Sequence, residues 1–181
     1  MHGVIFTSLH EYLTASHGEE LAGDVFAGHA DFLATESYPD EQFLQLVGRA
    51  TQATGRHVDA LVHDFGVFTA ITTFNRLYPA FFSVTPSARE FLLTVEGRIH
   101  ELVRATMPNA TPPKLAVTGL DDDGVEIVYS SPRQLCVLLR GLVQGTASHY
   151  GEQATIEERA CMRRGDEACR FEVRLSSVRP V

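Results

Sequence analysis

The helical period of this sequence ends at Pro108-Asn109-Ala110-Thr111-Pro112-Pro113. Proline has no backbone N–H and disfavours a helical conformation in the residue before it, so a stretch this rich in proline ends a helix. From Gly3 to about Met107 apolar residues recur mostly at helical spacing, whereas beyond the stretch they follow the patterns of strands. A helical half followed by a sheet-rich half predicts an α+β fold.

The helical half contains recognisable helix starts and stops. Pro39-Asp40-Glu41 predicts the start of a helix that Gly55 ends. A further helix is predicted from Asp59 to a point before Pro79. Pro86-Ser87 predicts the start of the last long helix, whose apolar face is formed by Phe91, Leu92, Val95, Ile99, Leu102 and Val103.

The sheet-rich half contains two predicted strand pairs with a helix between them. Turn-rich segments separate the strands of each pair, at Asp121-Asp122-Asp123-Gly124 and at Arg164-Gly165-Asp166-Glu167. The predicted elements are the strands Leu115–Val117 and Val125–Ser130, a helix Arg133–His149, and the strands Thr155–Met162 and Cys169–Leu175. We therefore expect a single domain over residues 1–181, with a mainly helical subdomain (1–107) and a sheet-containing subdomain (108–181).

Composition and charge narrow the class of protein. Hydrophobic residues make up 44% and charged residues 21% of the chain, as in ordinary globular domains. The formal net charge of −8 argues against nonspecific binding to nucleic acid or to an anionic membrane, which needs clustered Lys and Arg. The sequence has no apolar run of about eighteen residues and no signal-peptide pattern, so we expect a cytoplasmic protein.

His100 is the first candidate ligand. It lies beside Ile99 and Val103, at the edge of the apolar face of the last helix in the helical half. A helix histidine in this position is more often a surface or core-edge residue than a ligand. A single histidine can nevertheless hold heme iron, because the porphyrin supplies the other four nitrogens. Both interpretations are open for this residue alone.

Tyr129-Ser130-Ser131-Pro132-Arg133 is the second candidate. Alternate residues of an extended segment share a face, so Tyr129, Ser131 and Arg133 can converge on one ligand. The phenol, the hydroxyl and the guanidinium all donate hydrogen bonds, and Arg binds carboxylates through two parallel bonds. The pattern predicts a carboxylate- or phosphate-binding site, and the alternative is an ordinary strand end with a surface arginine.

These two motifs, in this order and with Asn109-Ala110-Thr111-Pro112-Pro113 between them, resemble the H-NOX family of heme nitric oxide/oxygen-binding domains. The resemblance is to the bacterial stand-alone type, which is related to the sensor domain of soluble guanylate cyclase. It spans nearly the whole chain and includes Met1-x-Gly3-x-Ile5, Tyr38-Pro39-Asp40, Tyr78-Pro79-Ala80-Phe81-Phe82 and Gly141-Leu142-Val143-x-Gly145.

The resemblance implies a role for each motif residue. His100 is implied as the ligand to the iron of heme b, buried between the two halves. Tyr129, Ser131 and Arg133 are implied to bind the two heme propionates, and Pro113 to press on the porphyrin and bend it. The residue types suit these roles, because a buried pair of carboxylates must be matched by donors.

The same resemblance bears on which gas is bound. Oxygen-binding members carry a tyrosine at the position of Leu138 and can carry a tryptophan at that of Leu9, whereas this chain contains no Trp. The resemblance places Ala70 at the position of a supporting asparagine. The predicted gas pocket offers no hydrogen-bond donor and consists of Ile5, Leu9, Ala70, Phe74, Leu138 and Leu142. We therefore expect binding of nitric oxide and carbon monoxide, with oxygen excluded.

Signalling is expected to begin at His100. Nitric oxide weakens the ligand opposite it, so the bond between the iron and His100 should lengthen or break, and the helix that carries His100 should move relative to the sheet half. The sequence shows no kinase, cyclase or DNA-binding segment. The resemblance implies a separate partner, either a histidine kinase or a cyclic-di-GMP enzyme, and no residue chooses between the two.

The three cysteines lie in the last third of the chain, at Cys136, Cys161 and Cys169. Some H-NOX proteins bind zinc here through three cysteines and a histidine, and the position of that histidine is Glu158 in this chain. Structural zinc sites rich in cysteine rarely use a carboxylate. A zinc site, buried free thiols and a redox-labile disulfide are the three alternatives.

Two other functions compete with a regulatory sensor that has no turnover. One is a heme-free, small-molecule-binding module of the vinyl-reductase-like type with a structural zinc site, which shares a cysteine-bearing hairpin such as Arg164–Phe171. Such a module would need neither His100 nor the Tyr-x-Ser-x-Arg motif. The other is a heme enzyme such as a peroxidase, which would need an acid–base histidine or arginine above the iron. No residue can be assigned to that role, so we expect a non-enzyme.

Overall fold

The computed structural model describes residues 1–107, 109–121 and 123–178. Pro108 and Asp122, which belong to predicted breaks and turns, lie outside these residues. A helical half precedes an antiparallel sheet, so the predicted α+β class is confirmed. None of the helices in the described part of the chain has the length and apolar character that a membrane crossing requires.

The helical half consists of short helices with recognisable caps. The predicted start at Asp40 is confirmed, and Gly55 ends that helix in the left-handed conformation with φ 66°. Ser87 caps the helix after Pro86, because its side chain accepts a hydrogen bond from the backbone N–H of Glu90. The helices are α1 (Gly3–His17), α2 (Glu19–Phe26), α3 (Asp40–Thr54), α4 (Val58–Phe68), α5 (Asn75–Leu77), α6 (Pro79–Ser83), α7 (Ala88–Thr94) and α8 (Glu101–Thr106).

Two of the predicted long helices each contain a π-helical segment. The first π-helix, Thr69–Phe74, joins α4 to α5, and the second π-helix, Val95–His100, joins α7 to α8. π-helical turns are rare and are found frequently at functional sites. Each of these segments changes the angular spacing of the side chains that follow it, which a regular 3.6-residue period does not describe.

Four antiparallel strands form the sheet in the order β1-β2-β4-β3, so β1 and β3 are its edges. In the register of β2 with β4, Tyr129 pairs with Cys169. Helix α9 begins at Cys136 and not at Arg133 as predicted, because Gln134 has a φ of 50° that no helix accommodates. The strands and the helix are β1 (Lys114–Asp121), β2 (Gly124–Ser130), α9 (Cys136–His149), β3 (Glu152–Ala160) and β4 (Cys169–Ser177).

The two halves meet where α4 crosses α9 at very short range. A Cβ atom at Gly141 would lie 2.1 Å from the carbonyl oxygen of His63, and one at Gly66 would lie 2.6 Å from that of Leu138. Only glycine allows backbones to approach this closely. The crossing holds α9, the helix that follows the Tyr-x-Ser-x-Arg motif, against the helical half.

Candidate functional site

An apolar cavity of about 330 Å³ is lined by residues of both halves. The apolar face predicted for the last long helix lies along it, since Phe91, Val95 and Ile99 are among the lining residues. The cavity brings together most of the residues singled out in the sequence: Ile5, Ala70, Phe74, His100, Pro113, Tyr129, Ser131, Arg133, Leu138 and Leu142.

Leu9 is the exception, because it is not among the described residues that line this cavity. Its side chain is fully buried in the core of the helical half, together with Phe6, Leu13 and Phe43. On α1 it is Ile5, one helical turn earlier, that reaches the cavity. Leu9 therefore contributes to packing of the helical half and not to the lining of the cavity.

His100 is the last residue of the second π-helix, and its side chain is 15% exposed. Burial lowers the pKa of the imidazole, and the nearby carboxylate of Glu96 opposes this only in part. The ring therefore favours the neutral form in which imidazole binds metals. Its Nδ1 lies 2.9 Å from Oε2 of Glu96, which leaves Nε2 as the nitrogen available to a metal.

Glu96 is a site residue that sequence reasoning missed. It stands four positions before His100, and its carboxylate also receives hydrogen bonds from Arg104 and from the backbone N–H of Leu115. Burial would raise the pKa of Glu96, but these donors together with His100 hold it below its ordinary value. The spacing of a Glu and a His four residues apart was the signal that could have identified the pair.

The guanidinium of Arg133 is held in place from two sides. Its two terminal nitrogens donate to the carbonyl oxygen of Thr111 at 2.6 Å and to the hydroxyl of Thr111 at 2.7 Å. Its Nε forms an ion pair with Asp40 at 2.8 Å, although the N–H is not well aligned for a hydrogen bond. An arginine fixed in this way presents its remaining N–H groups without further ordering of its side chain.

Tyr129 and Ser131 add two hydroxyl groups to the same segment. The Tyr129 hydroxyl accepts a hydrogen bond from the backbone N–H of Leu135 at 3.1 Å, and burial raises its pKa. The phenol therefore keeps its proton at neutral pH and can donate it to a ligand. The Ser131 hydroxyl accepts from the backbone N–H of Arg133 at 3.3 Å and has one hydrogen of its own to donate.

Asp40 has a larger role than the helix start predicted for it. Its carboxylate joins the helical half to Arg133 and also lies 2.6 Å from the amino group of Met1. Burial would raise the pKa of Asp40, but the Met1 amino group and Arg133 hold it below its ordinary value. The carboxylate thus balances part of the positive charge beside the cavity.

The chemistry of the lining suits a large apolar group that carries a metal and carboxylates. Arg133 is the only lysine or arginine among the described residues that line the cavity, and no aspartate or glutamate is among them. A cation with two hydroxyl donors matches carboxylates, and a neutral imidazole in the lining matches a metal. These residue types fit heme: His100 could hold the iron, and Tyr129, Ser131 and Arg133 could bind the propionates.

The sequence profile of the family described as Haem-NO-binding matches residues 2–158. The chain belongs to the Haem-NO-binding family. Members of this family are heme-binding gas-sensor domains and not catalytic domains. Soluble guanylate cyclases 89Db and 89Da of Drosophila melanogaster are 26% and 25% identical to it over 147 residues, which cover 74% of this chain. The chain spans about a fifth of the length of these cyclases, since the match covers 20% of each.

Solved structures of the family have the same fold as this Haem-NO-binding domain. An H-NOX protein from S. oneidensis in the Fe(II)NO ligation state is 21% identical and gives a TM-score of 0.90, over 98% of this chain and 100% of that chain. The Fe(II) unliganded H-NOX protein from K. algicida is 20% identical, with a TM-score of 0.85 and full coverage of both chains.

The wall of the cavity that includes Ala70 and Phe74 is apolar, although polar groups lie close by. Both residues belong to the first π-helix, whose hydroxyls Thr69 and Thr73 lie 2.8 and 2.9 Å from the hydroxyl of Ser8 on α1. All three hydroxyl residues are fully buried, and none of them lines the cavity. The polar groups of this wall therefore bind one another and leave the cavity apolar.

The Haem-NO-binding domain also brings its three cysteines together. The Sγ atom of Cys161 lies 3.8 Å from that of Cys136 and 4.0 Å from that of Cys169. All three are buried free thiols, so no disulfide links them. Burial, together with the neighbouring cysteines, raises the pKa of Cys136 to about 12. Without a metal or another cation this thiol keeps its proton.

Glu158 does not complete this group, contrary to one of the alternatives. Its carboxylate is bound to the guanidinium of Arg164, and the cluster of possible metal ligands among the described residues contains only the three sulfurs. Arg164 follows β3 closely, and its exposed guanidinium pairs with the Glu158 carboxylate.

Proposed function

We propose that this domain binds heme b through His100 and acts as a nitric oxide sensor. The observation that carries the proposal is one apolar cavity that joins a buried neutral histidine to the donors of Tyr129, Ser131 and Arg133. Bound ferrous heme supplies a metal that takes up small diatomic gases. Pro113, which also lines the cavity, would press on the porphyrin and bend it. A heme-free module gives no reason for this combination of residues.

Gas selectivity is proposed to follow from the apolar wall. Oxygen needs a hydrogen-bond donor beside it at ferrous heme, whereas nitric oxide and carbon monoxide need much less help. The side chains of Ile5, Ala70, Phe74, Leu138 and Leu142 offer none. The phenol of Tyr78, the hydroxyl of Thr146 and the imidazole of His2 also line the cavity, so Tyr78→Phe, Thr146→Val and His2→Phe are the variants that test for a donor.

Release of His100 is the proposed signal. His100 would leave the iron when nitric oxide binds, and the helix that carries it would move relative to the sheet. The readout would belong to a separate histidine kinase or cyclic-di-GMP enzyme in the cytoplasm.

The test is an absorption spectrum of the purified ferrous protein, alone, in air and with nitric oxide. We expect a Soret band that shifts with nitric oxide and with carbon monoxide and does not change in air before slow oxidation. A protein reconstituted with heme that shows no Soret band would support the heme-free alternative. Reversible oxygen binding would contradict the proposed selectivity, and peroxide turnover would favour a heme enzyme.

We propose further that the three cysteines hold a zinc ion. The Sγ–Sγ distances of 3.8 and 4.0 Å match the edge of a tetrahedron around zinc, which is about 3.8 Å for Zn–S bonds of about 2.3 Å. The fourth ligand would be water or another exogenous group, since Glu158 is bound to Arg164. Metal analysis of protein purified without chelator tests this, with Cys136→Ser as the matched variant. A zinc content near zero in the wild type would leave free thiols as the answer.

A further inference from the structure

The carboxylate of Glu96 connects three parts of the molecule at one point. Its Oε2 receives the Nδ1 hydrogen bond of His100 at 2.9 Å and the backbone N–H of Leu115 at 3.3 Å. Its Oε1 binds the guanidinium of Arg104 on α8. The second π-helix, α8 and strand β1 therefore meet at a single side chain, which is 31% exposed.

The bond from Leu115 has an unusual position in the sheet. Strand β1 is an edge strand that pairs only with β2, where Leu115 stands opposite Tyr129. N–H groups on the free side of an edge strand ordinarily bind water. Here the N–H of Leu115 binds a side chain from the helix that carries His100. Tyr129, its neighbour across the ladder, belongs to the proposed propionate site.

We propose that Glu96 is a positioning residue that sets the strength of the bond between His100 and the iron and passes the displacement of His100 to strand β1. The proposal rests on the proposed role of His100 as the heme ligand. A carboxylate on Nδ1 fixes the tautomer that leaves Nε2 for the metal, and it makes the imidazole a stronger donor to the metal. Oε2 also accepts the hydrogen bond from the backbone N–H of Leu115. A shift of the imidazole therefore displaces the acceptor of this N–H at the edge of the sheet.

Three variants test separately the charge of the Glu96 carboxylate, its hydrogen bonds and its position on the helix. Glu96→Gln keeps the shape and one acceptor oxygen but removes the charge. Glu96→Ala removes both. Glu101→Gln removes an exposed carboxylate next to His100 on the same continuous helix and is the matched control.

The first readout is the iron–histidine stretching band in the resonance Raman spectrum of the ferrous, gas-free protein. We expect the band to move to lower frequency in Glu96→Gln, further in Glu96→Ala, and not at all in Glu101→Gln. The graded shift reports the basicity of the ligand, which a merely structural role of Glu96 would not change.

The second readout is hydrogen exchange at the Leu115 amide, which needs no heme. In the apoprotein we expect Glu96→Ala to speed this exchange about tenfold or more, because a hydrogen bond to a charged acceptor is lost. In the heme-loaded wild type, nitric oxide should speed exchange at Leu115, and in Glu96→Ala it should add nothing further.

The outcomes distinguish this proposal from the one on which it rests. A heme-loaded wild type whose iron–histidine band is unmoved in Glu96→Ala would overturn the role of Glu96 alone. Equal exchange at Leu115 in wild-type and Glu96→Ala apoprotein would overturn the link to the strand. A wild type that binds no heme would overturn the proposed function, and the role of Glu96 with it.

Discussion

The second π-helix, which ends at His100, and the first π-helix, which carries Ala70 and Phe74, both line the cavity but use polar groups in opposite ways. At the second π-helix the carboxylate of Glu96 is bound directly to the imidazole. At the first, the polar groups of Ser8, Thr69 and Thr73 bind one another outside the lining.

The difference follows from the cost of burying polar groups without partners. A metal ligand must reach the cavity, and its second nitrogen then needs an acceptor, which Glu96 supplies. A wall that must stay free of donors can still contain hydroxyl residues if they satisfy one another. One cavity thereby has a polar, connected wall beside the proposed iron ligand and an apolar wall where the gas would lie.

The largest expected effect comes from removing the ligand at the polar wall. His100→Gly should leave a protein that is deficient in heme, because the other histidine among the described lining residues, His2, has a backbone N–H at its Nδ1 and no carboxylate acceptor there. Added imidazole should restore a ferrous Soret band. The absorption spectrum checks this, and an unchanged ferrous spectrum without imidazole would contradict the role of His100.

A donor placed in the apolar wall should change gas selectivity. Leu138→Tyr replaces an apolar side chain of the lining with a phenol. A hydrogen bond from this phenol to bound oxygen, which carries partial negative charge, should raise the oxygen affinity about 10- to 100-fold. Spectra recorded in air and after removal of oxygen measure the change. Leu138→Phe is the control, since it adds the ring without the hydroxyl. Equal oxygen affinities of the two variants would show that the volume of the side chain, and not its hydrogen bond, sets the affinity.

The hydroxyl cluster should contribute a moderate amount to stability. Ser8→Ala is expected to lower the free energy of unfolding by about 1 kcal/mol, because the buried hydrogen bond that the Ser8 hydroxyl donates to Thr69 or Thr73 is lost, while the Thr69 and Thr73 hydroxyls keep their bonds to the Phe65 carbonyl and to Glu11. Urea denaturation measures this. Thr7→Ala, whose hydroxyl bonds only to the Val4 carbonyl on the same helix, should change stability by less than about 0.5 kcal/mol. A greater loss of stability in Thr7→Ala than in Ser8→Ala would contradict the stabilising role of the buried hydroxyl cluster.

The smallest effect is expected from the ion pair that joins the halves beside the polar wall. The pKa of Asp40 is lowered in the folded protein, so its contribution is present above the unfolded value of 3.8 and is lost as pH falls through the lower folded value. Asp40→Asn should therefore cost about 0.2–1 kcal/mol at pH 7. Below pH 3.8 the stability of the Asp40→Asn variant should approach that of the wild type. Urea denaturation at several pH values checks this, and a difference independent of pH would argue against the ion pair.

Local features of the fold could be predicted from the sequence because they depend on neighbouring residues. The start of α3 at Asp40, its end at Gly55 and the cap at Ser87 follow from capping rules that involve only a few positions. The start of α9 could not be located in the same way. It depends on the left-handed conformation of Gln134, for which the sequence offers no glycine as a marker.

The candidate site was predicted through ordered motifs, whereas the contacts between residues far apart along the chain were missed. Asp40 reaches Arg133 and Glu96 reaches Leu115 only after the halves have packed. Leu9 has the residue type expected of the gas pocket, but the rotation of α1 directs it into the core and brings Ile5 to the cavity. The carboxylate of Glu158 forms an ion pair with Arg164, and the spacing of the cysteines does not predict this pair.

The sequence alone determined the division of this protein at the proline-rich stretch, the α+β class and the motifs from His100 to Arg133, because these depend on residue type and spacing. The tertiary structure alone decided which of those side chains share a cavity and which polar groups lie outside its lining. It also decided that the Glu96 carboxylate binds both His100 and the edge strand. The physical reason is that a buried donor or acceptor must find a partner in space, and that partner is set by how helices and sheet pack and not by distance along the chain.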